Sequence, residues 1–167
     1  MQMKSNKISV LASVLEFIKT TEELKKLLRH SWLSDNRQES VAEHTWRMAL
    51  MAIVIHPHLD FSADLNHTLK LIIIHDLAEI LAGDYHAFKN VPQNKHQLEK
   101  KSLQKLLHNL PIATQNEIVS LWEEFEDNLT PEAKFAQSLD KLEVLIQHNQ
   151  ADISTWDEKE YDFNYYF

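Results

Sequence analysis

Residues 66–82, NHTLKLIIIHDLAEILA, are apolar on almost every side of a helical projection, unlike the two-faced pattern of a helix lying on a surface. The stretch reads as a buried central helix around which the rest of the chain must pack. Gly83, the only glycine in 167 residues, follows it at once, where a left-handed C-cap residue is commonly needed. Asp84 is therefore expected just past the helix end. With one glycine and four prolines the chain has little material for the tight turns of hairpins and barrels, and no strand signal competes with the helical periodicity. The expectation is an all-α fold of about six to eight helices. It forms one domain over residues 1–167, with its core at about 8–150 and an aromatic tail at 151–167.

The other helices follow from spacing and caps. Residues 8–18 (ISVLASVLEFI) repeat apolar groups at helical intervals. Thr20 with Glu23 offers a capping box for a second helix to about Arg29, and a polar loop covers Ser31 to Glu39. Ser40 with Glu43 is a further capping box, opening a helix from Val41 to Ile55 with His44 in its first turn. Residues 85–93 read as an irregular loop, followed by helices at about 94–110 and 114–126. Thr130-Pro131-Glu132 supplies the cap and first positions of a last helix to about Gln150. The tail carries Trp156, Tyr161, Phe163, Tyr165, Tyr166 and Phe167, aromatic enough to dock on the body or on a second subunit.

A net charge of -8 argues against binding by general attraction to nucleic-acid phosphates, so an anionic substrate needs locally placed cations. Without cysteine any metal must be held by nitrogen and oxygen. Neither a secretory signal nor a membrane span is recognisable, and a cytoplasmic protein is expected, with no membrane or nucleic-acid partner.

His75, Asp76 and Glu79 fall within about a 100° arc of the central helix. A carboxylate buried there must be paired or metal-bound, because an unpaired one costs several kcal/mol. In the last helix Phe135, Leu139, Leu142 and Ile146 form an apolar stripe, while Asp140 shares a flank with Ala133, Ala136 and Val144 and faces another element. Alone, Asp140 reads as a salt-bridge partner and His44 as a structural imidazole. Together, two imidazoles and two carboxylates can hold one divalent ion, Mn²⁺, Co²⁺, Fe²⁺, Mg²⁺ or Zn²⁺.

The order of isolated His44, the His75-Asp76 doublet and distant Asp140 resembles the H…HD…D pattern of the HD-domain phosphohydrolase superfamily. ESVAEH at 39–44, HDLAE at 75–79 with Gly83-Asp84, and AKF at 133–135 leading to LDKLE at 139–143 resemble its 5'-deoxynucleotidase branch. The resemblance spans about residues 10–150 and implies an all-helical HD domain, commonly dimeric. The implied reaction removes phosphate from (deoxy)ribonucleoside 5'-monophosphates, so the partner is a small nucleotide. The resemblance carries metal binding onto His44, His75, Asp76 and Asp140, and catalytic roles onto Glu79 and Asp84. It also places an arginine for the phosphate and a tryptophan for the nucleoside upstream of the first histidine, roles carried onto Arg29 and Trp32, here separated by His30 and Ser31. Lys89 and Lys95 read as solvated charges, and His56, His58, His67 and His86 as surface residues. Two other readings stand beside this one. The substrate can be another phosphoester such as guanosine tetraphosphate, or the chain can be a non-catalytic, metal-stabilised interaction module.

Overall fold

The computed structural model describes residues 2–84, 93–156 and 158–161. Among these, helices dominate: α1 (Gln2–Thr20), α2 (Val41–Ile55), α3 (Leu65–Ile74), α4 (Glu79–Ala82), α5 (Lys95–Leu107), α6 (Ile112–Asp127) and α7 (Pro131–Gln150). The all-α expectation holds, with one addition. Strands β1 (Leu28–Trp32) and β2 (Gln38–Ser40) form an antiparallel hairpin with an irregularity in register between Leu28 and Trp32. No described helix is long and apolar enough to cross a membrane.

Local chemistry explains the helix starts. Ser40 caps α2 through a full capping box, its hydroxyl accepting from the Glu43 amide while the Glu43 carboxylate accepts from the Ser40 amide at 2.8 Å. Asp64 caps α3 by accepting from the amides of Asn66 and His67, and Thr130 caps α7 by accepting from Ala133, with Pro131 next in line. The expected box at Thr20 does not form. Its hydroxyl bonds back to the Glu16 carbonyl at 2.9 Å, only a 3-10 turn, Thr21–Lys25, stands where the second helix was expected, and the hairpin takes the end of that helix and both ends of the loop expected from Ser31 to Glu39.

The central helix is also not continuous. Its backbone changes from α-type bonding, His75 to Leu71, to tighter bonds from Leu77 to Ile74 and from Glu79 to Asp76. The Ile72 carbonyl, which the Asp76 amide would take in an unbroken α-helix, instead lies 2.6 Å from His75 Nδ1. A side chain thus occupies a rung of the ladder, and residues 75–78 form a turn between α3 and α4. Gly83 ends α4 at φ +81°, ψ 157°, a conformation open essentially to glycine.

Two apolar clusters flank this break. One joins Met48 and Ala52 of α2, Leu71 and Ile72 of α3, Leu121 and Phe125 of α6, and Ala133, Phe135, Ala136 and Leu139 of α7. The other gathers Leu77, Ala78, Leu103, Leu107, Leu110, Ile118 and Trp122, with Val14 and Phe17 of α1 packed on it. His75 and Asp76 sit where the two meet. The buried line of α7 runs through Ala136, Leu139, Glu143 and Gln147 rather than through Leu142, which is 39% exposed.

The chain after α7 turns back on the body. Trp156 Nε1 donates to the His148 carbonyl at 3.1 Å, its ring stands edge-on to that imidazole, and Tyr161 lies beside Trp156. Buried Glu160 reaches His148 at 3.1 Å and His30 at 3.4 Å. Lys89, His86, Phe163, Tyr165, Tyr166 and Phe167 lie outside the described residues.

Candidate metal centre

The hairpin, α2, the turn at 75–78, α4 and α7 each contribute side chains to one largely buried cluster, in which Asp140 keeps 33% of its side chain exposed. His44 enters from the first turn of α2, which the Ser40 cap fixes, and is wholly buried. Its Nε2 is 3.0 Å from Asp140 Oδ1. From the turn, His75 Nε2 is 3.0 Å from Asp76 Oδ2, and the two imidazole rings are 5.7 Å apart. One ligand atom each from His44, His75 and Asp140 can be chosen so that all lie within 4.8 Å of one another.

This donor set fits a divalent cation, and the ring nitrogens decide it. The Nδ1 atom of His75 lies 2.6 Å from the Ile72 carbonyl, an acceptor only, so Nδ1 carries the proton. The Nδ1 atom of His44 lies 2.6 Å from Glu143 Oε2. Both Nε2 atoms are buried, face carboxylates and have no hydrogen-bond partner, as has Asp76 Oδ2. Imidazoles tied at Nδ1 with Nε2 turned to a shared space are the arrangement in which histidine ligates a metal.

The electrostatics agree. Burial raises the Glu79 carboxyl, and the charges of Asp76 and Asp84 add to this, to about 10. Asp84 is also pushed up by burial, against the pull of Arg29. Burial works against charge on His44, yet the neighbouring Asp140 and Glu143 hold its proton up to about 9. Asp76 moves the other way: burial is outweighed by His75 and Arg29, and its carboxyl is held well below the usual range. A pocket that keeps one acid protonated and raises the proton affinity of both its histidines has more carboxylate than cation, and a divalent ion would reverse both shifts.

Arg29 lies in this cluster: its guanidinium approaches Asp76 Oδ2 at 3.6 Å and Glu39 Oε2 at 3.7 Å. Trp32, at the far end of β1, is half-buried; its carbonyl accepts from Gln147 at 2.6 Å, and none of the contacts described above that assemble the cluster is made by its ring. Lys95 differs from its sequence reading. It is half-buried at the start of α5, 3.4 Å from buried Glu99, and the negative charges of Glu99 and Glu79 raise its proton affinity against the effect of burial. His56 and His67 are likewise half-buried, bound to the Ala63 carbonyl and to Glu124.

Glu39 and Glu143, which close two of the sequence motifs without standing out as functional, are both buried against the far side of His44. Glu39 is pushed up to about 7 by burial and by the Glu143 charge. The available signal was position: Glu143 stands one turn beyond Asp140.

The HD domain family model matches residues 21–167. The chain belongs to the HD domain family. Human 5'-deoxynucleotidase HDDC2 is 35% identical over 141 residues, covering 83% of this chain and 68% of that protein. The protein of the same name from Danio rerio is 37% identical over 141 residues, covering 83% and 69%. Among solved structures, a predicted metal-dependent phosphohydrolase from Magnetospirillum magnetotacticum matches this HD domain with a TM-score of 0.79 at 33% identity. It covers 85% of this chain and 72% of that one.

Proposed function

We propose that this HD domain is a divalent-metal-dependent phosphomonoesterase that hydrolyses (deoxy)ribonucleoside 5'-monophosphates to nucleoside and phosphate, acting in the cytoplasm as a homodimer. His44, His75, Asp76 and Asp140 are its metal ligands in this reading. The observation that carries it is the pair of buried imidazoles, tied at Nδ1, whose Nε2 atoms face Asp140 and Asp76 beside Arg29. The 5'-deoxynucleotidase relatives, more than 30% identical over most of this chain, support the substrate class.

A divalent cation bound there supplies Lewis acidity toward a phosphoryl oxygen and the attacking water. The chain's own groups do the rest. Arg29 donates to phosphate oxygens through its planar fork, and its neighbours Asp76 and Glu39 keep it charged and aimed. Glu79 orients the water and takes its proton as the oxygen–phosphorus bond forms. Asp84, released from the helix by the Gly83 turn, contacts the substrate or returns a proton to the departing nucleoside oxygen. Trp32 serves the nucleoside.

The test is phosphate release from deoxy- and ribonucleoside 5'-monophosphates, guanosine tetraphosphate and an aryl phosphate, with chelator and after return of Mn²⁺, Co²⁺, Fe²⁺, Mg²⁺ or Zn²⁺. Release from the 5'-monophosphates that chelator abolishes is the expected result. Release from guanosine tetraphosphate alone would move the substrate assignment, and none from any compound would overturn the enzyme reading. The homodimer draws on α1, where Ile8, Leu11, Leu15 and Ile18 are exposed at three- and four-residue intervals. Light scattering should give twice 19.6 kDa; a mass of 19.6 kDa would refute it.

A further inference from the structure

Glu143 is wholly buried on α7, with Oε2 2.6 Å from His44 Nδ1 and Oε1 3.2 Å from an Arg47 guanidinium nitrogen. We propose that Glu143 is a positioning residue for the metal centre: it accepts the Nδ1 proton of His44, fixes the ring so that Nε2 faces the ligand space, and is itself held by Arg47. The proposal rests on the reading of His44 as a ligand.

The two histidines of the centre are tied in different ways. His75 gives its Nδ1 proton to a neutral backbone carbonyl three residues back, an anchor that no side-chain substitution removes. His44 depends on a carboxylate that arrives from a helix 99 residues away in sequence. A carboxylate acceptor makes the opposite ring nitrogen a better donor to a metal than a neutral acceptor does. His44 is completely shielded from solvent, so in the native protein no bulk water competes with Glu143 for its Nδ1 proton.

The same corner invites a second reading, because Glu39, His44 and Glu143 also offer three ligand atoms within 4.8 Å. Two observations count against a second cation there. A nitrogen that donates its proton to Glu143 has no lone pair left to give. Glu143 also has the Arg47 guanidinium 3.2 Å from its other oxygen, closer than the 3.6 Å between Arg29 and Asp76. The corner is therefore an orienting network, and one cation per chain is expected.

The experiment is calorimetric titration of the metal-free protein with Mn²⁺, comparing wild type, Glu143→Gln, Arg47→Met and His44→Ala. Glu143→Gln keeps the shape and loses the charge, and should weaken Mn²⁺ binding by about 10- to 100-fold, the range typical of groups that orient a ligating histidine. Arg47→Met should weaken it less. A merely structural Glu143 would lower the melting temperature of the metal-free protein and leave the affinity unchanged. Affinity of Glu143→Gln within about twofold of wild type therefore overturns the proposal, as does a second equivalent of Mn²⁺ that this variant alone loses. If Glu143→Gln does not fold, Arg47→Met decides by the same criterion, weaker binding in support and unchanged binding against. If His44→Ala also binds Mn²⁺ as wild type does, it is the ligand assignment of His44 that has failed. If His44→Ala loses binding while Glu143→Gln keeps it, only the present inference fails.

Discussion

Glu79, buried, and Asp140, a third exposed, are acids of one cluster, yet substitution should separate them. Glu79→Gln keeps volume and removes the proton acceptor, so kcat should fall by about 10²- to 10⁴-fold while bound metal, measured by elemental analysis, stays at wild-type level. Asp140→Ala should instead lose the metal, because Asp140 Oδ1 is the carboxylate oxygen 3.0 Å from His44 Nε2. Metal retained in full by Asp140→Ala, or turnover retained by Glu79→Gln, would sink the respective role. Arg29→Met removes a charged donor worth about 1.5–3 kcal/mol, so KM for a nucleoside monophosphate should rise roughly 10- to 100-fold with metal content unchanged. An unaltered KM would take Arg29 out of phosphate binding. The aligned acids were visible in the sequence because a carboxylate in an apolar helix is conspicuous. Glu143 was not, because the stripe drawn through Leu142 put it on the wrong side, and only the packing of α7 against α2 shows which residues face inward.

At the level of elements, what local chemistry dictates was legible and what pairing dictates was not. The Ser40 and Thr130 caps and the Gly83 stop are decided within a few residues of themselves, and each stands where the sequence puts it. The hairpin is different. β1 has five residues and β2 three, its turn needs Asn36 at φ 66°, and the Trp32 carbonyl is held by Gln147 from α7. None of that is written in periodicity. The break at His75 is likewise invisible to a hydrophobic pattern; it coincides with an imidazole seated on the Ile72 carbonyl. Gly83→Ala tests the stop directly. An added Cβ meets nothing within 4 Å, so the penalty is backbone strain alone, about 1–3 kcal/mol of lost stability in urea denaturation. A change below a few tenths would show that the turn relaxes easily.

For the molecule as a whole, the excess of acid over base in the cluster makes metal binding a stabilising event. With free Mn²⁺ at about one hundred times its dissociation constant, linkage adds about 2.7 kcal/mol. In a domain of this size that is a rise in melting temperature of roughly 5–10 °C, reversed by chelator. Calorimetric scans with and without Mn²⁺ measure it, and coincident transitions would refute a native-state metal site. One detail of the backbone carries this further. Ile72 is wholly buried in the larger apolar cluster, and its carbonyl is the group that anchors His75. The amides of Leu71 and Ile72, wholly buried within α3, should be among the slowest to exchange with deuterium. With Mn²⁺ kept in excess, heat inactivation and loss of fold should then follow one curve.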